Sequence, residues 1–401
     1  MLSSIYRRLR KAHASRPLMQ QLIDLMRQWP WVYPRGVERS AKQWIEKEQV
    51  RLGWYSGLRG DWYEEIYPGG INVHALPDSS VGPSGASFTQ VASQRYPEAS
   101  VSHFKDAHVF SDEGQVLTRD NRLQAQYFHH FGTRRVSTSI LARPFGHLRL
   151  RVQRIPEPVG LLAAPQGRNY YHWIFDVLPR VHLLSRWAGV IEKYVVPEHL
   201  ISSQLESLRH LGIAESQLFC IGPDVRARCR HLYVPSLPGS EGSTPPWALQ
   251  FLRQALLPAA TCVAGRGPLI YVARGAEATR KVLNEGDLIA RLEKRGFQAI
   301  QPDRLSFTEQ VALFRDARVV VAAHGAALAN LVFSTKVGVL ELFSADYART
   351  DCYFTLARQL DHRYDSWLDS TKAGPTKEWG SIVVDLEEVD IRVRRLIQHS
   401  A

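Results

Sequence analysis

From Val159 onward, and most regularly between Leu269 and Phe343, short continuous runs of Val, Ile and Leu alternate with amphipathic stretches. That alternation is how βαβ units read in sequence, and unbroken apolar strands suit a parallel sheet covered on both faces. In the first half the predicted strands are 159–163, 194–196 and 218–221, with helices beginning near Asn169 and Ser202. A Pro-rich stretch from Pro235 to Pro246 and a helix at 247–257 lead to a domain boundary near residue 260. The second half is predicted as strand 269–274, helix 284–294, strand 297–301, helix 307–316, strand 318–323 and strand 339–343. Ser306 with Glu309 makes a capping-box pattern, and Asn284 with Asp287 a looser equivalent. Ahead of these units, Pro68 to Ser100 reads as loops with short strands, and Val109 and Val116 flank a hairpin. The expected organisation is a basic helical extension at 1–65, an α/β domain with an irregular β-rich preface at 66–260, and a second α/β domain at 261–401. With 401 residues, 45% of them hydrophobic, the chain has core material for two domains.

The net charge of +11 points first to nucleic acid, so its distribution matters. Residues 1–60 hold 12 Lys or Arg against 4 acids, which leaves the body nearly neutral. That leader also carries Leu18, Leu22, Trp29 and Trp31, a mixture that suits either an anionic bilayer surface or a helix packed on the body. No run of about 18 apolar residues occurs, and the opening MLSSIYRRLRKAHASR has no apolar core for a signal peptide. The expected location is the cytoplasm, with the leader as a candidate contact to the inner face of the membrane. The four cysteines lack CxxC spacing and are expected to be buried, reduced thiols, forming neither a zinc site nor a disulfide framework.

Three stretches carry candidate chemistry. In VVVAAHGAALAN, residues 319–330, a buried strand ends in His324-Gly325 and passes into a small-residue helix. Ligands bind at that position in open parallel sheets, and the helix amides favour phosphate; close packing of Gly325, Ala326 and Ala327 explains the same residues equally well. Arg274, Gly275, Arg280 and Asn284 follow the first strand of that half, at the sheet edge that carries His324. Two guanidiniums there could hold a diphosphate, although either alone is more often a surface ion-pair residue. Glu341, in the next apolar strand, is a candidate acceptor for ribose hydroxyls. In GRNYYHWIFDVLPRVHLL, residues 167–184, Asn169, His172 and Asp176 fall on one helix face, and Pro179 is expected to kink or restart the helix. The polar stripe could supply a general base in a cleft, or a His-Asp pair that orients the helix. Neither GxGxxG nor GxxxxGK[ST] occurs, which disfavours a nicotinamide enzyme or a P-loop ATPase.

These motifs, in this order, resemble glycosyltransferase family 61, which includes plant β-1,2-xylosyltransferases, protein O-linked N-acetylglucosamine transferases of the secretory pathway, and bacterial enzymes of capsule or exopolysaccharide synthesis. Asn169-Tyr-Tyr-His172-Trp-Ile-Phe-Asp176 looks like the family's N-x-x-H-x-x-x-D helix, and Arg274 to Asn284 its R-x5-R-x3-N segment. Phe307-Thr-Glu-Gln310 to Phe314 and His324-Gly-Ala-Ala-Leu-Ala-Asn330 complete the series. The resemblance covers about residues 105–345. It implies a GT-B architecture of two facing Rossmann-like domains, the first on the acceptor side and the second holding a nucleotide-sugar, most simply a UDP-sugar. It further implies an inverting, metal-independent transferase without a cofactor, acting on a glycan or lipid-linked glycan in capsule, exopolysaccharide or related synthesis. No DxD triplet occurs. On that reading Arg274, Arg280, Asn284, His324, Gly325, Ala326, Asn330 and Glu341 bind the nucleotide-sugar, Asn169 faces the acceptor cleft, and His172 and Asp176 are the candidates for the base. The alternative is a basic nucleic-acid-binding or membrane-surface protein with an α/β body; the near-neutral body argues against nucleic acid. A hydrolase built on His172 and Asp176 lacks the G-x-S-x-G elbow.

Overall fold

The computed structural model describes residues 36–52, 60–73, 93–127, 150–239, 242–260, 267–274, 280–347, 352–371 and 379–399. Most of the basic leader (1–35 and 53–59), the loop stretch 74–92, Gly275 and Cys262 lie outside the described residues.

The first half contains β1 (Gly36–Glu38), α1 (Ala41–Leu52), β2 (Trp62–Tyr67), β3 (Gly70–Val73), β4 (Ser93–Tyr96), β5 (Ala99–Phe110), β6 (Gln115–Leu117), β7 (Arg122–Gln124) and β8 (Arg151–Leu161). The helical run α2 (170–184), β9 (Lys193–Pro197), α3 (Ser202–His210), β10 (Leu218–Ile221), β11 (Val225–Pro235) and α4 (Pro246–Leu256) complete it. Its main sheet has the order β1-β7-β6-β5-β11-β8-β9-β10, with β2 also on β5. Pairing is parallel from β11 through β8 and β9 to β10 and antiparallel around β5. The sheet is therefore mixed, and the predicted preface is part of it. β5 is buried along most of both faces, so it sits at the centre of the layer and cannot be a peripheral loop. β1 and α1, assigned from sequence to a helical extension, are likewise joined to this layer: β1 pairs with β7, and Trp44 and Ile45 of α1 are buried. The hairpin forms with Val109 opposite Val116. Cys220 lies on the edge strand β10 and is exposed, which corrects the expectation of a buried thiol; Cys229 is buried.

The second half contains β12 (Leu269–Val272), α5 (Glu285–Glu293), β13 (Gln298–Ile300), α6 (Phe307–Asp316), β14 (Val319–Ala323), a 3-10 run Ala326–Phe333, β15 (Gly338–Ser344), α7 (Tyr353–Gln359), β16 (Arg363–Asp369) and α8 (Leu386–His399). All five strands are parallel in the order β13-β12-β14-β15-β16, so the chain reverses its direction of travel between β12 and β14. Every residue of β15 is buried, as covered faces require. The Ser306 capping box forms: its Oγ accepts from the Glu309 amide at 3.2 Å, and Glu309 accepts from the Ser306 amide at 2.8 Å. Asn284 makes no side-chain cap. Its amide pairs with both backbone groups of Val384, at 2.8 and 2.9 Å, and so ties the start of α5 to the approach to α8.

The halves share one hydrophobic core, which takes Trp173, Leu178 and Leu252 from the first and Phe307, Val311 and Phe333 from the second. Among the described residues no helix is long and apolar enough to cross a membrane.

Candidate functional site

Open parallel sheets bind ligands beyond the carboxyl ends of their strands where the strand order reverses. Past β12 and β14 a shallow cleft opens there, lined by Arg274, Arg280, Lys281, His324, Ser344 and Tyr347 among others, with no carboxylate among the described residues of its wall. Such a wall selects an anion. Arg274 is fixed at its base. Its backbone amide donates to Glu285 at 2.9 Å, and the Tyr271 hydroxyl donates to the same oxygen at 2.8 Å. Arg274 Nη2 donates to the His324 carbonyl, while its Nε is buried without a partner. Burial, and then the neighbouring Arg280, weaken the guanidinium's hold on its proton, so an anion between the two would relieve both effects. Gly325 permits this approach, since a Cβ there would stand 2.6 Å from Arg274 Nη2. Arg280 lies 4.5 Å over the Tyr347 ring, beside Gly380 in the left-handed region.

His324 follows β14 directly. Its Nδ1 is 2.5 Å from Glu341 Oε1, and its ring stacks on Phe343 and meets the rings of Tyr347 and Tyr353. Glu341 does not serve a ribose. It has no exposure, and its second oxygen accepts from the Tyr364 hydroxyl at 2.6 Å. Asn330 is equally buried, accepting from Tyr170 at 2.7 Å and donating to Gln310 at 3.1 Å and to the Ala327 carbonyl at 3.2 Å. The bond to Tyr170 ties the halves together, and the other two engage the Asn330 amide nitrogen within its own half. Asn284 is committed to Val384 in the same way. Ala326 is partly exposed and opens a 3-10 run in place of the expected α-helix. Of the predicted donor contacts, Arg274, Arg280 and His324 thus line the cleft and Gly325 and Ala326 adjoin it, whereas Asn284, Asn330 and Glu341 are structural.

On the other half, Asn169 is exposed and caps α2, accepting from the Tyr171 amide at 2.9 Å. His172 Nδ1 lies 2.6 Å from Asp176 Oδ2. Residues Trp173–Val177 form a π-helical turn before Leu178–Leu184 resumes as α-helix. Pro179 has no amide proton, and the chain absorbs the missing bond as the extra residue of a π-bulge, which is the predicted restart. Arg180, one turn beyond Asp176, is fully buried and was not singled out from sequence; it donates to the carbonyls of Leu162, Ala163 and Pro235, at 3.1, 2.8 and 2.9 Å. Burial pulls its pKa down to about 9, and Asp176 opposes the shift. A basic residue at i+4 from an acid on an apolar helix face was the available signal. The two histidines are linked by rings: Tyr171 meets His172 at 5.3 Å and Tyr353 at 5.8 Å, and Tyr353 meets His324 at 5.4 Å between centroids. Tyr347, Tyr353 and Tyr364 lie past the last strand read from sequence, where no spacing marked them.

Residues 170–340 match the family Glycosyltransferase 61. Over 103 residues the chain is 37% identical to the EGF domain-specific O-linked N-acetylglucosamine transferase of Drosophila melanogaster, a stretch that makes up 25% of this chain and 19% of that protein. The chain therefore spans about a fifth of that relative's length. By the match and the relative, residues 170–340 are similar to glycosyltransferase family 61. Among solved structures, the dodecameric iron-containing heptosyltransferase TibC, in complex with ADP-D-beta-D-heptose, aligns with a TM-score of 0.33 and 11% identity over 73% of this chain and 96% of that one; a likeness this slight carries no argument.

Proposed function

We propose that the protein is an inverting glycosyltransferase that moves a sugar from a UDP-sugar to a glycan acceptor, of the kind used in capsule, exopolysaccharide or related glycan synthesis, without a divalent metal. The observation that carries this is the convergence of Arg274, Arg280, Lys281 and His324 on one cleft at the strand reversal, with no carboxylate among its described lining residues, inside the segment that matches the family. Cations held there offset the charge that develops on a departing diphosphate, the role a metal ion has in other transferases. The relative's own name, an N-acetylglucosamine transferase, supports sugar transfer as the reaction class. A GT-B-like arrangement is part of this proposal, with the donor cleft in the second half and the His172–Asp176 pair in the first.

In the mechanism the diphosphate rests between Arg274, Arg280 and His324. His172 takes the proton from the acceptor hydroxyl, and Asp176 orients its ring through Nδ1. The acceptor oxygen attacks the anomeric carbon as the bond to the diphosphate breaks on the opposite face, which inverts the configuration.

A mass-spectrometric screen of nucleotide-sugars for consumption by the full chain tests this. UDP release from one or more UDP-sugars is expected. His172→Ala and Asp176→Asn should lower transfer to acceptor by on the order of a hundredfold or more, with UDP affinity nearly unchanged. A folded chain that neither binds UDP nor consumes any nucleotide-sugar contradicts the proposal.

A further inference from the structure

Glu341 sits in the middle of the all-buried strand β15, adjacent to the strand that delivers His324. A carboxyl group without exposure is costly unless it is well partnered. Its two partners are specific: His324 Nδ1 at 2.5 Å on one oxygen and the Tyr364 hydroxyl at 2.6 Å on the other. Burial and the charge of Glu341 raise the Tyr364 hydroxyl well above its ordinary range, so that hydroxyl keeps its proton and donates it. A carboxylate oxygen facing a ring nitrogen accepts, and Nδ1 donates to it.

We infer that Glu341 and Tyr364 are positioning residues for His324, committing its Nδ1–H to the interior of the sheet and leaving Nε2, on the far edge of the ring, to meet the diphosphate in the cleft. The inference rests on the nucleotide-sugar reading of the cleft. Turning the ring over would set a carbon against Glu341 and leave a buried oxygen unpaired, which is costly. The Tyr364 hydrogen bond keeps the carboxylate from rotating to accommodate that turn. Phe343 stacks on the ring, Tyr347 and Tyr353 close its edges, and the Arg274 hydrogen bond holds its carbonyl. Neither Glu341 nor Tyr364 lines the cleft, so their effect on a ligand passes through His324.

Long-range proton–nitrogen NMR on the ¹⁵N-histidine-labelled full chain tests this, with His324 assigned by its loss in His324→Gln. The expected wild-type signature is a proton on Nδ1 of His324 and a shift of Nε2 on adding UDP. Glu341→Gln should give mixed tautomers, because the amide can either accept from or donate to Nδ1, and should weaken UDP binding about tenfold. Tyr364→Phe should move both readouts in the same direction by a smaller amount and keeps the test open if Glu341→Gln misfolds. Combining Glu341→Gln with His324→Gln should add no further loss of UDP affinity. A His324 without a proton on Nδ1, or variants that leave its tautomer and UDP affinity unchanged, overturns the positioning role. Wild-type protein with the expected tautomer and no affinity for UDP overturns the donor-site reading on which the inference rests, and with it the ligand named here.

Discussion

His362 is almost wholly buried under the 3-10 run, with Nε2 donating to the Leu331 carbonyl at 3.0 Å and Nδ1 without a partner. Burial pushes its pKa down from 6.5 to about 4, and does the same to His103; His108 falls to about 3. Each binds its proton less readily folded than unfolded, so the stability it contributes is complete above about pH 6.5 and is lost as pH falls toward 4. Thermal melts should show Tm falling across that window, and His362→Gln, which keeps the donor to Leu331, should flatten part of the slope. A Tm constant from pH 7 to 4 contradicts these burials. The same dependence on surroundings explains which site residues could be read from sequence. The places of Arg274 and His324 along the sheet edge were legible because the ends of β12 and β14 fix them. Asn284, Asn330 and Glu341 have equally suggestive positions, yet Val384, Tyr170 and Tyr364 engage them, and those partners lie from 23 to 160 residues away.

At the level of elements, α6 begins with two caps. One is its own capping box. The other comes from α3 of the first half, where Glu206 accepts from the Phe307 amide at 2.7 Å and from the Thr308 amide and hydroxyl at 3.3 and 2.8 Å. A carboxylate on a helix's free amides is favoured by hydrogen bonding and by the dipole. Glu206→Ala should destabilise the chain by about 1 to 2 kcal/mol in urea unfolding; a change of a few tenths would show that Ser306 and Glu309 suffice. Helix α6 was legible to the residue because its Ser-x-x-Glu start is local chemistry. So were β10 and the hairpin at Val109 and Val116. β11 alternates buried Val225, Ala227 and Cys229 with the arginines between them, a period-two pattern present in the sequence but outshone by the run of charge. The place of β5 at the centre of a mixed sheet was not legible, since it depends on β11, more than a hundred residues later.

Across the whole molecule, the predicted boundary near residue 260 marks a change of sheet and no gap in the core. Tyr170 reaches Asn330, Arg253 donates to the carbonyls of Val332 and Ser334 at 2.6 and 2.7 Å, and Tyr171 meets Tyr353. The joint brings the motif helix of the first half against the 3-10 run that follows His324, and pairs of residues so distant in sequence leave no periodic trace. The cleft beyond β12 and β14 and the His172–Asp176 pair are thereby held by one body, as the proposed single displacement requires. The central claim is that the cleft beyond β12 and β14 holds a nucleoside diphosphate. Arg280 tests it best, because it lines the cleft over Tyr347, whereas Arg274 also supports the His324 backbone. Calorimetric titration of UDP into the wild-type chain and Arg280→Ala should show binding by the first and a loss of about tenfold or more in the second at unchanged Tm, the usual scale for a charge-assisted contact to an anion. Equal affinity in both proteins, or no binding by the folded wild type, would contradict the account.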